Sequence, residues 1–194
     1  MTRELFCEKF ESGISYETFQ ARATDQREQL EALYDYFEIS DAKADAFGKL
    51  ARAHGGRINV IVLAEAWCGD AVRALPLLAK LCQRATGMTL RILHSDLAEN
   101  QALLRRWPLG ERNPIPVVVF FDKDFGEIGH WIERCATAND FRARLLEAHP
   151  GLKPREFFRL AGPKAFEAFR QTHWKDTLAE WALILKAPNE ASQT

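Results

Sequence analysis

The residue best suited to chemistry in this chain is Cys68, within the segment Trp67-Cys68-Gly69-Asp70-Ala71. It lies where strand-forming residues, 58–66, give way to an amphipathic helical pattern that begins at Ala71. A cysteine at the start of a helix is a candidate thiolate, because free backbone N–H groups and the positive end of the helix dipole favour S⁻ over SH. Burial in apolar surroundings has the opposite effect. The segment therefore predicts either a reactive thiol or an ordinary half-buried cysteine.

Charged side chains close to Cys68 in the predicted fold act on its pKa in opposite directions. Asp70 complements the helix dipole but repels a thiolate, whereas Arg73 and Arg134 favour the thiolate. Arg73 also follows Asp70 by three residues, a spacing typical of a surface ion pair. Glu65, at the end of the preceding strand, is either a proton acceptor for the thiol or a solvated carboxylate. The sequence leaves the sign of the pKa shift open.

Three landmarks together resemble the thioredoxin superfamily. Trp67-Cys68-Gly69-Asp70 is similar to the active-site turn Trp-Cys-Gly-x-Cys, and Pro76 lies eight residues after Cys68, where thioredoxins carry a helix-kinking proline. Ile115-Pro116 precedes the apolar run 117–121 and resembles the loop whose cis-proline faces the active-site cysteine. The resemblance implies that Trp67, Ile115 and Pro116 bind an extended substrate beside Cys68.

The resemblance extends over roughly residues 41–149 and is more specific than any one motif. A Trp-Cys-Gly-Asp-Ala or Trp-Cys-Gly-Asp-Cys turn, followed by Ile-Pro, an Asp-rich turn and Gly-x-Trp, resembles a bacterial group of thioredoxin-like proteins. Here the last two features are Asp122-Lys123-Asp124 and Gly129-His130-Trp131.

Two departures from the thioredoxin pattern bear on activity. Ala71 stands where a dithiol thioredoxin has its second cysteine, which excludes two-cysteine exchange within this turn. Val62 stands six residues before Cys68, where thioredoxins place a buried acid. The chain is therefore expected to act through a single cysteine, if it acts on disulfides at all.

The other three cysteines are weaker candidates. Cys82 lies fourteen residues beyond Cys68 on the same predicted helix, about 21 Å away, whereas bridged Cα atoms lie about 4.4–6.8 Å apart. Cys135 follows the strand that returns toward Pro116, so it is either a resolving cysteine or a plain loop residue. Cys7 falls in an N-terminal segment for which the pattern predicts no fixed position.

Apolar spacing predicts the elements that must position these residues. The first forty residues are predicted to be helical, with Ser15 and Asp41 as N-caps of two successive helices, the second ending at His54-Gly55-Gly56. The remaining pattern predicts strands at 58–66, 90–94, 117–121 and 127–132, and helices after Cys68, at 99–107 and after Thr137 or Asn139. This order is the one that a thioredoxin-like domain requires, so together with the resemblance we expect an α/β class protein with a thioredoxin-like fold, a central mixed sheet flanked by helices, and extra helices at both termini.

The domain organisation predicted from this order has three parts. Residues 1–40 form an N-terminal helical extension, 41–150 the thioredoxin-like domain, and 151–194 a C-terminal helical extension packed on the same domain. The C-terminal part is predicted to be a helix at 154–161, an interruption at Gly162-Pro163, and a longer helix. Its apolar stripe of Trp174, Leu178, Trp181 and Leu185 either packs on its own domain or forms a homodimer or partner surface.

Composition excludes several function classes. A net charge of −1 gives no electrostatic case for nucleic acid or an anionic membrane as partner. The N-terminus lacks a secretory signal pattern and no apolar run approaches the roughly 20 residues of a membrane span, so a cytoplasmic location is expected. The five histidines and four cysteines lack metal-ligand spacing, so no metal or cofactor is expected.

Three functions remain open from the sequence. The first is a monothiol oxidoreductase that forms mixed disulfides with protein thiols or with glutathione as co-substrate, released by glutathione or Cys135. The second is a non-catalytic module that uses the groove of Trp67, Ile115 and Pro116 to bind proteins. The third is a glutathione-binding or iron–sulfur protein, by analogy with monothiol glutaredoxins.

Overall fold

The computed structural model describes residues 1–151 and 157–186 of the chain. Over these ranges it contains a four-stranded sheet and eight helices. The elements are α1 (Arg3–Ser12), α2 (Tyr16–Arg22), α3 (Arg27–Tyr36), α4 (Asp41–Ala53), β1 (Ile58–Ala64), α5 (Gly69–Arg84), β2 (Met88–His94), α6 (Ala98–Leu104), β3 (Val117–Phe121), β4 (Glu127–Ile132), α7 (Ala136–Ala148) and α8 (Phe157–Lys186). The α/β class predicted from the sequence is confirmed.

The sheet has the strand order β2-β1-β3-β4, with β1 parallel to β2 and antiparallel to β3. Every residue of β1 and β3 is buried, which explains their unbroken apolar sequences. Leu63 near the end of β1 is opposite Val117 at the start of β3. The segment after β1 and the segment before β3 therefore meet at one edge of the sheet.

Helix α1 packs on this sheet through two aromatic side chains. Phe6 and Phe10 are buried in a cluster with Phe121 and Trp107, and the Phe6 ring centroid lies 4.7 Å from that of Phe121. Cys7, on the same helix, is exposed. The prediction that Cys7 lies in a segment without a fixed position was wrong, because the buried rings of Phe6 and Phe10 hold α1 against the sheet.

The segment after α1 covers the outer edge of β2. The backbone N–H of Ile14 donates to Ile92 O at 2.9 Å, and Ile92 N–H donates back to Ile14 O at the same distance. A side chain at Gly13 would approach Arg91 Cβ to 2.8 Å, so only glycine permits this close passage. The pairing protects an edge that would otherwise expose unpaired backbone groups.

Several helix ends differ from the sequence predictions. Residues 15–37 form α2 and α3 rather than one helix; Ser15 caps α2 as predicted, with its hydroxyl accepting from Thr18 N at 3.2 Å. Ser40, not Asp41, caps α4. Helix α8 runs unbroken through Gly162-Pro163, contrary to the predicted interruption, since a proline removes one hydrogen bond while the rest of a thirty-residue helix remains. Residues 152–156 and 187–194 of the predicted C-terminal extension lie outside the described residues.

The chain divides into two compact units, with one boundary after Glu133 and another after Trp181. One unit contains residues 1–133 and the end of α8 from Ala182; the other contains 134–181. In the first unit, the His54 ring nitrogen Nε2 lies 2.7 Å from Leu185 O. Leu185 O is one of the backbone carbonyls at the C-terminus of α8 that have no acceptor role within the helix, and His54 binds it.

In the second unit, two acids on α8 bind the N-terminus of α7. Glu180 Oε1 accepts from Ala136 N at 2.7 Å, and Asp176 Oδ2 accepts from the Thr137 hydroxyl at 2.7 Å. The residue preceding α7 is Cys135, which makes no side-chain cap, so the predicted caps Thr137 and Asn139 were wrong. The Ala136 N–H is therefore bound by a side chain of a distant helix, which no local pattern could indicate.

The apolar stripe predicted on α8 is largely buried within the single chain. Leu178, Trp181 and Leu185 are buried, and Trp174 is half-buried. Among the described residues, no helix is long and apolar enough to span a bilayer.

Glu127 of β4 contacts three side chains in the first unit through its carboxylate. Its carboxylate accepts from Trp107 Nε1 at 2.8 Å and Arg106 Nη2 at 3.1 Å, and His130 Nδ1 lies 3.1 Å away. Burial raises the pKa of Glu127, but the hydrogen bonds from His130, Trp107 and Arg106 outweigh it and lower the pKa to about 2.

We expect Glu127→Gln to reduce the free energy of unfolding at pH 7 by about 1–2 kcal/mol, because a charge-assisted acceptor is lost. A carboxylate whose pKa is lowered by folding stabilises the fold above its unfolded pKa and ceases to do so as pH falls through its folded pKa. The difference between wild type and variant should therefore shrink from about pH 4.5 toward pH 2. Urea unfolding at several pH values measures it, with the exposed Glu111→Gln as control; a difference that is constant with pH would contradict this assignment.

Candidate active site

Cys68 is the residue immediately before α5, so its thiol lies at the first free N–H groups of that helix. Its backbone N–H donates to Glu65 O at 3.1 Å, and its carbonyl accepts from Val72 N at 3.0 Å. The helix begins at Gly69, two residues earlier than the pattern beginning at Ala71 predicts. The tight turn 65–68 thus connects β1 directly to α5.

The loop before β3 lies against this turn. Cys68 Sγ donates to Ile115 O at 3.4 Å, and the Ile115-Pro116 peptide bond is cis. Trp67 exposes 55% of its surface, Ile115 is half-buried and Pro116 is buried. The structure therefore brings together Cys68 and Ile115-Pro116, which are 47 residues apart in the sequence.

Burial governs the state of the Cys68 thiol. It raises the pKa of Cys68 above the ordinary cysteine value, and the negative charge of Asp70 acts in the same direction. The backbone N–H groups of Ala71 and Asp70 and the charge of Arg73 lower the pKa without offsetting burial. At neutral pH the group is accordingly a protonated thiol, which fits its role as donor to Ile115 O.

The two charged residues closest in sequence to Cys68 bind each other. Arg73 Nη2 donates to Asp70 Oδ1 at 2.9 Å, the ion pair that their spacing indicates. Arg134 lies in the second compact unit, where its guanidinium donates to Asn139 Oδ1 at 3.3 Å. The positive charge of Arg73 lowers the pKa of the Cys68 thiol, as the sequence predicts.

Glu65 is buried and joins the ends of β1 and β2. Its carboxylate accepts from Asp96 N at 3.0 Å and from the Ser95 hydroxyl at 3.3 Å, and His94 Nδ1 lies 3.1 Å away. The Glu65 carboxylate therefore has three hydrogen-bonding neighbours, and these offset the free-energy cost of burying its charge. Of the two interpretations from the sequence, the solvated carboxylate was wrong.

Two side chains hold the turn itself. Gln26 Nε2 donates to Ala66 O at 3.1 Å and to Trp67 O at 2.9 Å. The Trp67 indole N–H donates to Asp96 Oδ2 at 3.0 Å. Neither Gln26 nor Asp96 was predicted from the sequence; the only signal for Gln26 is the polar break Thr24-Asp25-Gln26 between two helical patterns.

Sequence comparison assigns more than half of the chain to a family. A family model described as Thioredoxin (Thioredoxin_9) matches residues 13–146. The chain belongs to the thioredoxin family. No curated protein is similar enough in sequence to be matched to it.

Two solved structures have the same fold as this thioredoxin-family chain. One is the 1.5 Å crystal structure of a protein of unknown function, PA1234 from Pseudomonas aeruginosa, with 18% identity, a TM-score of 0.62, and coverage of 93% of this chain and 96% of that one. The other is an HIV epitope-scaffold, 4E10_S0, with 18% identity, a TM-score of 0.66, and coverage of 93% and 97%. At this identity the similarity concerns the fold alone.

The remaining cysteines of this thioredoxin-family protein have different surroundings. Cys135 is buried in the second unit, with Sγ 3.3 Å from Thr137 Oγ1 and 3.7 Å from His173 O. Burial raises the pKa of Cys82 to about 12. The resolving role of Cys135 stays a prediction, and its burial does not favour it.

Glu133 is a further residue that the sequence did not indicate. Its backbone has a φ of +64°, unusual for a residue with a side chain, and its N–H donates to Pro116 O at 2.8 Å. Its carboxylate accepts from Arg112 Nη2 at 3.4 Å. Glu133 thus fixes the proline loop from the β4 side.

In the part of the chain that the structure describes, no group of three or more candidate ligands is placed to hold a metal ion.

We expect the pH midpoint of iodoacetamide alkylation at Cys68 to lie above about 8.5, the free-cysteine value. Asp70→Asn should lower this midpoint by about half a pH unit, because it removes a charge that opposes the thiolate. The measurement uses a Cys7→Ser background, since Cys7 is exposed, and subtracts the rate of Cys68→Ser. Asp45→Asn, which removes an exposed acid on α4, is the control. A midpoint below about 7 would show that burial does not control the thiol.

Proposed function

We propose that this thioredoxin-family protein is a monothiol thiol–disulfide oxidoreductase, in which Cys68 forms a mixed disulfide with a protein substrate or with glutathione. The observation that carries the proposal is the position of Cys68 Sγ, at the N-terminus of α5 and 3.4 Å from Ile115 O beside cis-Pro116. A thiol so placed has backbone N–H groups to stabilise its anion and an adjacent backbone segment against which an extended substrate can lie.

The reaction needs two exchange steps. The Cys68 thiolate, having lost its proton to solvent, attacks one sulfur of a substrate disulfide; a new S–S bond forms, and the second substrate sulfur leaves as a thiolate that takes up a proton. A glutathione thiolate then attacks the substrate-derived sulfur and displaces Cys68. When the substrate is a mixed disulfide of a protein with glutathione, and Cys68 attacks the glutathione sulfur, the products are the reduced protein thiol and glutathione disulfide. Atoms and electrons therefore balance.

Two features of the site determine the rates of these two exchange steps. Ala71 leaves the turn without a second cysteine, so release depends on an external thiol. The raised pKa of Cys68 means that little thiolate is present at neutral pH, and that Cys68 is a poor leaving group once the mixed disulfide has formed. We therefore expect slow formation and long-lived mixed disulfides rather than rapid turnover.

The surroundings of Cys68 support recognition of an extended polypeptide. Trp67 is exposed, with its indole N–H donating to Asp96, and the half-buried Ile115 accepts from Cys68 Sγ through its carbonyl. Four free thiols fit a reducing compartment, so the proposed location is the cytoplasm.

A second candidate function is a non-catalytic module that binds proteins through the same groove of Trp67, Ile115 and Pro116. The raised pKa of Cys68 and the replacement of the second cysteine by Ala71 favour it, because neither is needed for binding. The two functions differ in whether the Cys68 sulfur bonds covalently to the partner.

Intact-mass analysis after incubation with glutathione disulfide distinguishes them. In a Cys7→Ser background we expect one glutathione adduct, located at Cys68, formed faster as pH rises and removed by added glutathione. Cys68→Ser should form none. An unmodified Cys68 after prolonged incubation at pH 9, together with partner binding that survives Cys68→Ala, would refute the oxidoreductase and establish the binding module.

We also expect Ala71→Cys to raise the rate of disulfide reduction about tenfold, because a second thiol in the same turn can release the mixed disulfide without an external thiol. Insulin reduction with dithiothreitol as electron donor measures this rate. Ala74→Cys, which adds a thiol at another buried position of α5, is the matched control. Equal rates for Ala71→Cys and Ala74→Cys would mean that the site is not built for dithiol exchange.

A further inference from the structure

Gln26 lies far from Cys68 in sequence but contacts the same turn. Its side-chain amide donates both to Ala66 O and to Trp67 O, across about forty residues of chain. These two carbonyls precede Cys68 directly. Because one amide group binds both, it restrains two successive peptide planes of the turn at once.

The backbone of Gln26 is committed to this contact. It adopts a left-handed conformation, φ +52° and ψ +25°, which is unfavourable for most residues with a side chain. It also occupies the N-cap of α3, where a side chain normally binds the free N–H groups of its own helix, yet it makes no such bond. The side chain is directed to the Cys68 turn instead of to its own helix.

The turn is also held by residues at the end of β2. Asp96 accepts from the Trp67 indole, and the Glu65 carboxylate accepts from Asp96 N. The Gln26 amide supplies the restraint from the N-terminal helices. The position of Cys68 between these contacts sets how deeply its Sγ is buried against Ile115 O.

We propose that Gln26 is a positioning residue for Cys68, and that its amide holds the 66–67 backbone so that Sγ stays buried against Ile115 O. The inference rests on the proposed function only in taking Cys68 as the reacting group. It makes the connection between α2 and α3 part of the active site. Without the amide, the Ala66 and Trp67 carbonyls bind water and the turn moves outward, which exposes the thiol.

The test compares alkylation of Cys68 by iodoacetamide as a function of pH in four proteins, all carrying Cys7→Ser. Gln26→Gly removes the amide and accepts the left-handed backbone without strain. Gln26→Asn also tolerates this conformation but is one methylene shorter, so its amide cannot span both carbonyls. Asp25→Gly loosens the same connection at an exposed neighbour and leaves the Gln26 amide in place. The fourth protein retains Asp25 and Gln26.

We expect the alkylation midpoint to fall by about half a pH unit in both Gln26 variants, which corresponds to roughly threefold faster alkylation at pH 7. Asp25→Gly should keep the midpoint of the parent. An unchanged or raised midpoint in the folded Gln26 variants, checked by circular dichroism, overturns the proposal. So does an equal fall in Asp25→Gly, because loop flexibility alone would then explain the change.

This readout separates the two proposals. Alkylation requires only a thiol in a defined environment and does not depend on whether the protein exchanges disulfides. A Gln26-dependent midpoint with no mixed disulfide at Cys68 refutes the oxidoreductase and keeps the positioning role. A mixed disulfide with a midpoint independent of Gln26 does the reverse.

Discussion

Strand β1 is the element on which the arrangement of the site depends. It is buried along its whole length and hydrogen-bonded on both sides, in parallel to β2 and antiparallel to β3. The opposite directions of β1 and β3 bring the end of one strand to the start of the other. Cys68 and Ile115-Pro116 therefore meet because of strand direction, before any side chain in the site is considered.

The state of the thiol is decided by a competition between burial and the helix N-terminus. A helix terminus stabilises a neighbouring charge by about 0.3–1 kcal/mol at an exposed position, less than the 1.36 kcal/mol of one pKa unit. Burial shifts the pKa of an ionisable group by up to several units. With Sγ covered by the Ile115 loop, burial is the larger effect, and the N–H groups of Asp70 and Ala71 reduce the rise without reversing it.

The sequence predicted the parts of the fold whose signals are local or repeated. The apolar runs of β1 and β3 indicated the sheet, and the change from a strand pattern to a helix pattern indicated the position of Cys68 at its end. What it could not predict depends on contacts between distant segments: Phe6 packing on Phe121, Glu180 capping α7, and Gln26 binding the Cys68 turn. The left-handed backbone of Gln26 is also invisible to spacing, since the residue carries no glycine or asparagine signal.

The N-terminal segment contacts both the sheet and the Cys68 turn. The family match begins at residue 13 and includes α2, α3 and Gln26 between them. Ile14 closes the edge of β2, the strand whose end carries the groups that hold Glu65 and Trp67. Removal of these helices would therefore uncover the outer edge of the sheet and release one side of the Cys68 turn together. The edge of the sheet and the Cys68 turn are thus bound from the two ends of α2, the first by the Ile14 backbone and the second by the Gln26 side chain.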